Sequence, residues 1–225
     1  VDPVCSDQPL GASFNPSTSV AVATYNVTNL NLNGLTVSAG DADIENGLTA
    51  ADLADDAFTN TTNAPKEVIY TVVPVTAGGC EGQAFTVTVT VKDPIIISGA
   101  PHDYNGFGIS CHGADDGFIE PTITGGKLPT DDPNYVYSWS GPNGYTATSK
   151  DIYNLAPGTY SLIVGDGENI CQQASTFEIT EPDPITVQGD LSEYNSFEIS
   201  CNGESDGSIT LAVQGGTGPG TYLYT

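Results

Sequence analysis

Residues 83–91 read Gln-Ala-Phe-Thr-Val-Thr-Val-Thr-Val. Phe85, Val87, Val89 and Val91 fall on one face, and Thr86, Thr88 and Thr90 on the other. A strict period of two predicts a β-strand with one dry and one wet face. Residues 67–75 are dense in β-branched side chains, and Gly78-Gly79 between the two runs reads as a hairpin turn. Residues 19–27 alternate in the same way. Further on, Tyr135, Tyr137 and Trp139 share one face of a predicted strand, and Tyr160, Leu162 and Val164 share one face of another. Residues 95–98, 117–124 and 175–180 complete a set of short strands. One stretch breaks the pattern. Residues 49–57 open on Thr49 with Asp52 three places later, a capping-box-like start. They predict a helix of about two turns with Leu48, Leu53 and Ala57 turned inward.

The pattern repeats. The run Ile-Ser-Cys-His-Gly-Ala-Asp-Asp-Gly that begins at Ile109 returns as Ile-Ser-Cys-Asn-Gly-Glu-Ser-Asp-Gly from Ile199. Cys111 and Cys201, Pro94 and Pro184, and Gly125-Gly126 and Gly215-Gly216 keep one common offset of 90 residues. That period is too long for a solenoid turn and about right for one small β-sandwich, so the chain reads as a tandem array. Three units follow: residues 1–92, residues 93–182, and a truncated copy at 183–225. Asp93-Pro94 and the run Glu181-Pro182-Asp183-Pro184 form short joints. Proline restricts itself and its predecessor, so such joints hold neighbours apart, although domain boundaries are commonly proline-rich in any case. The fold class expected is all-β: immunoglobulin-like or PKD-like sandwiches in a linear array, with one short helix in the first.

The 225 residues include no Met and stop inside the second copy, so the sequence reads as a segment of a longer polypeptide. The charge changes the picture more. Against 28 Asp and Glu stand 4 Lys and Arg, a net charge of −24. Such a surface repels nucleic acid and anionic lipid, and no apolar run approaches a membrane span. It favours cations or basic partners, or serves solubility alone. Cys5 and Cys80 bracket the first unit and Cys111 and Cys171 the second, so two domain-closing disulfides are expected, with buried free thiols as the alternative. The partner of Cys201 should then lie past Thr225. Bridges of this kind require an oxidising compartment.

The motifs resemble a known family. Cys-x-Gly-x-x-Asp-Gly-x-Ile at 111–119, Gly125-Gly126, Tyr-x-Tyr-x-Trp-Ser at 135–140, the Gly-Thr-Tyr run ending at Tyr160, Cys171 and Glu181-Pro182 are similar to the SprB repeat. The turn before Cys171 departs from the repeat's usual Asn-Gly-Cys. Residues 46–56, 59–62, 69–74 and 79–82 resemble the PKD-like domain that accompanies it. The resemblance implies a very large cell-surface adhesin of gliding Bacteroidetes, exported by type 9 secretion and associated with the outer membrane. The partners it implies are neighbouring repeats, the secretion and gliding machinery, and surface polysaccharide. It implies no catalytic residues.

Candidate chemistry is sparse. His102 and His112 lie near Ser110 and the acidic turns, but the second copy has Ser192 and Asn202 in their places, so both read as surface polar residues. Asp115, Asp116, Asp166 and Glu168 offer hard oxygen ligands, which suit calcium; Asp131 and Asp132 add another pair. No loop supplies the six to eight oxygens calcium takes, and a turn explains the Asp-Gly pairs equally well. Tyr135, Tyr137, Trp139 and Tyr145 suggest a sugar platform, but alternating aromatics on a strand are more often core. The function expected is a non-enzymatic structural stalk, with no cofactor unless calcium binds. The alternatives are a carbohydrate- or surface-binding module and the spacer of a secreted hydrolase.

Overall fold

A computed structural model describes residues 2–11, 21–126, 135–168, 170–217 and 222–223. The chain divides into two units, each taken by itself. The first comprises Val1–Ser98, Thr122–Ser138 and Ile163–Ser175; the second comprises Gly99–Pro121, Trp139–Leu162 and Thr176–Thr225. The strands in chain order are β1 (Val4–Cys5), β2 (Thr24–Asn31), β3 (Thr36–Ala39), β4 (Ala57–Thr59), β5 (Lys66–Val75) and β6 (Phe85–Lys92). There follow β7 (Ile96–Ser98), β8 (Gly117–Ile119), β9 (Thr122–Thr124), β10 (Val136–Ser140), β11 (Thr146–Ala147) and β12 (Ile152–Leu155). The last are β13 (Gly158–Gly165), β14 (Gln172–Ile179), β15 (Thr186–Leu191) and β16 (Ile209–Gln214). Among the described residues the fold is all-β apart from the helix α1 (Ala50–Ala54) and one 3-10 turn at Pro142–Gly144.

In the first unit one sheet runs in the order β1-β6-β5-β2. β5 alternates as its sequence demands: Val68, Tyr70 and Val72 are buried, while Ile69, Thr71 and Val73 lie half out. These three pack with Tyr25, Val27, Leu53, Phe58, Val89 and Val91 in one apolar core. β5 and β6 meet antiparallel through the Gly78-Gly79 turn, and Thr76 and Cys80 bond across it. α1 is shorter than the sequence predicts, because Ala57 leaves the helical run to pair with Ala39 as the first residue of β4. Its start is as read: the Thr49 hydroxyl accepts from the Asp52 N–H, the Asp52 carboxylate accepts from the Thr49 N–H, and Leu53 is buried.

In the second unit β8 pairs with β12, and Ile109, Ile119, Ile152, Leu155, Leu162 and Ile179 are buried. Trp139 is 2% exposed, lies 5.6 Å from Phe177 between ring centroids, and donates its indole N–H to the Ser149 carbonyl. The strands β11-β10-β13-β14 form a sheet in that order. β15 and β16 form a hairpin in unbroken register from Thr186↔Gln214 to Leu191↔Ile209.

The internal repeat is visible bond by bond. The Ser110 N–H donates to Asp116 Oδ1 at 3.0 Å, and the Ser200 N–H to Asp206 Oδ1 at 3.1 Å. Both carboxyls are held below the usual carboxylate range, first by hydrogen bonding from the Ser110 and Ser200 side chains and next by these backbone bonds. The two copies differ in cover. Ile109 and Ile119 are both 0% exposed, whereas their counterparts Ile199 and Ile209 are 38% and 66% exposed.

Candidate functional site

The strongest constellation lies where β6 ends. By alternation Lys92 should point away from the core side of Val91, yet both are fully buried. The parallel strand β1 lies along this end of β6, with Val4 opposite Val91 and Cys5 opposite Lys92. The turn between β13 and β14 supplies the rest. The Asp166 N–H donates to the Cys171 carbonyl at 3.0 Å, and the Ile170 N–H donates to Asp166 Oδ1 at 2.7 Å. The Lys92 ammonium then donates to Asp166 Oδ2 and to Glu168 Oε2, each at 2.9 Å. The side chains of Lys92 and Asp166 are 1% and 7% exposed, and that of Glu168 is 49% exposed. Burial alone would lower Lys92's hold on its proton; the hydrogen bonds to Glu168 and Asp166 outweigh it and raise that hold above the ordinary lysine value.

Beside this ion pair runs a covalent bond that corrects the sequence reading. Cys5 is joined to Cys171, with Cα atoms 5.3 Å apart and 166 residues between them in sequence. Cys80 and Cys111 are free, exposed thiols, so the expected pairs Cys5–Cys80 and Cys111–Cys171 do not form. β1 docks at the far end of β6 from the hairpin that carries Cys80. An eight-residue strand separates the two places, about 25 Å at the usual rise, against the roughly 7 Å a disulfide spans between Cα atoms. With Cys171 occupied by Cys5, Cys111 is left reduced. Cys201 is likewise a free, exposed thiol.

The other candidates are placed as follows. Of the four calcium candidates, Asp166 and Glu168 face the Lys92 ammonium, Asp116 caps the Ser110 N–H, and Asp115 is exposed. Among the described residues no three His, Cys, Asp or Glu side chains gather into a metal-binding group. Asp131, Asp132, Asn169 and Tyr224 lie outside the described residues. Of the aromatics on this face, Trp139 is buried, while Tyr135 and Tyr137 are half-buried beside exposed Val136. Another aromatic row lies nearer the surface: exposed His102 stacks on half-buried Phe118 at 4.3 Å, and Phe118 lies 5.7 Å from exposed Tyr153. The Tyr153 hydroxyl donates to Glu120 at 2.6 Å, which pushes its phenol up to about 12. His112 is exposed, with Nδ1 3.0 Å from a Glu181 carboxylate oxygen. Sequence reasoning missed Lys92. Its one signal is a rare lysine, in a chain with 4 basic residues, closing the cleanest strand.

Residues 2–94 match the family described as the PKD-like domain, and residues 109–144 and 194–225 match the SprB repeat. The chain is a PKD-like domain followed by SprB repeats. No curated protein matches it. Among solved structures it is similar to an amphioxus IgVJ-C2 molecule at 18% identity and a TM-score of 0.33, over 79% of this chain and 99% of that one. It is also similar to Drosophila OTK, extracellular domains 3–5, at 13% identity and a TM-score of 0.33, over 79% of this chain and 59% of that one. Lys92 closes the last strand of the PKD-like domain, and Asp166, Glu168 and Cys171 follow the first SprB match. The ion pair and the disulfide therefore tie the PKD-like domain to the β13–β14 turn. No helix among the described residues is long and apolar enough to cross a membrane.

Proposed function

We propose that this chain is a stalk segment of a large secreted adhesin on the surface of a gliding bacterium, delivered by type 9 secretion and held at the outer membrane. Its units are residues 1–92, 93–182 and 183–225, and its role is mechanical rather than catalytic. The observation that carries the reading is the Cys5–Cys171 bond, which closes 166 residues of PKD-like and SprB sequence into one covalent loop. Tension applied on either side of that loop passes through the disulfide and bypasses the strands inside it. Those strands then cannot extend, however weak their packing.

Single-molecule stretching between handles at the two ends tests this. Reduction should lengthen the fully extended chain by about 560 Å, from 166 residues at roughly 3.4 Å each. Equal contour lengths before and after reduction would remove the mechanical role. Retention of the chain on an array of immobilised glycans would favour the surface-binding reading instead, with exposed His102 and Tyr153 on either side of half-buried Phe118 as the place to look.

A further inference from the structure

We propose that Lys92 and Asp166 condense into an amide, a second covalent clasp beside the disulfide, with Glu168 as the proton carrier. The chemistry stands on the local geometry and holds whether or not the segment is a stalk. Three features converge. Nζ, the nucleophile, lies 2.9 Å from Asp166 Oδ2 in a site from which water is almost wholly excluded. Asp166 Oδ1 already accepts the Ile170 N–H at 2.7 Å, the donor that a developing oxyanion needs. Glu168, half-exposed, lies 2.9 Å from the same Nζ, placed to take and return a proton.

The step balances without an oxidant or a co-reactant. The ammonium gives one proton to Glu168, which passes it to Asp166 Oδ2, so that a neutral amine attacks Cγ of a neutral carboxylic acid. Charge gathers on Oδ1 opposite the Ile170 N–H. The amine then loses a second proton to Oδ2, and Oδ2 leaves as water. One C–O bond breaks and one C–N bond forms. The carboxylates hold the ammonium's proton tightly, so the first transfer is the slow one. Against it work the effective concentration of fixed neighbours, on the order of 10⁵ M or more, and the exclusion of the water that would hydrolyse the product.

The repeat itself argues that Lys92 is not there for the joint. The next joint keeps the Asp-Pro pair at Asp183-Pro184 but has Pro182 where the first has Lys92. A buried ion pair is also a poor fastener on its own, because desolvation offsets most of its attraction.

The test is the intact mass of the 225-residue chain after folding, then reduction and denaturation. The wild-type chain should be lighter than its sequence by one water. Digestion should release a branched peptide joining Lys92 to Asp166. Lys92→Arg keeps a cation for the two carboxylates but presents a guanidinium that stays protonated and does not acylate, and should show the full sequence mass. Glu168→Gln should slow the appearance of the lighter species by about 10²-fold or more. Wild-type chain at full mass after prolonged incubation in the folded state overturns the proposal. So does a water loss that persists in Lys92→Arg.

Discussion

The Tyr70 hydroxyl donates to Asp56 Oδ2 at 2.6 Å, and both side chains are buried in the first unit. Burial pushes the Asp56 carboxyl up to about 6; the Tyr70 bond pulls it down, and Asp55 and Asp41 push it up further. The fold therefore prefers the protonated acid. Its stabilising contribution is complete below the unfolded value of 3.8 and is lost as pH rises through about 6. The cost at neutral pH is about 3 kcal/mol. Asp56→Asn keeps an oxygen for Tyr70 and removes the charge. Thermal unfolding from pH 4 to pH 7 should show the variant gaining on the wild type as pH rises, by up to about 3 kcal/mol at the top of the range. A constant gap across that range would contradict this account. None of it was legible from the chain. Asp55 and Asp56 look alike in sequence, and only the packing of Tyr70 separates a solvated acid from a buried one.

Strands were the most legible elements, because one wet face and one dry face impose a period of two. β5, β6, β10 and β13 follow their sequence alternation. The exceptions have local causes: Ala57 goes to β4 rather than α1, and Lys92 is buried by β1 and the β13–β14 turn. The Gly-Gly pairs were legible as turns, but the reason for glycine was not. Gly125 has φ near +82°, and a Cβ there would sit 1.9 Å from the Pro94 carbonyl oxygen. Gly215 repeats this against Pro184 at 2.1 Å. Gly113 also has positive φ, yet a Cβ there would meet open space. Gly125→Ala should thus cost several kcal/mol in chemical denaturation, and Gly113→Ala only about 1 kcal/mol from backbone strain. Equal losses would show that φ alone, and not the approach of Pro94, demands glycine at 125.

At the scale of the whole molecule the cysteines decide the topology of covalent closure. A bridge over 166 residues stabilises by about 5 kcal/mol in the chain-entropy model. Cys80, Cys111 and Cys201 are exposed thiols. Maleimide added to the folded, unreduced chain should therefore add three labels by mass, at those positions and not at Cys5 or Cys171. A protected Cys80 or Cys111 would restore the domain-closing pairs that the sequence alone suggests. Those pairs looked natural because cysteines at the two ends of a unit suit a closed sandwich. Sequence order carries no record that β1 runs parallel to β6 and reaches its far end. By itself, the sequence determined whatever repeats locally: the strand alternation, the offset of 90 residues, the turn at Asp116 and its twin at Asp206, and the family of each module. Each depends on neighbours a few residues away or on a copy of the same pattern. Tertiary structure alone decided which cysteine meets which and that Lys92 lies buried between two carboxylates. Those outcomes depend on segments brought together from tens to more than a hundred residues apart, and no local pattern encodes which segment arrives.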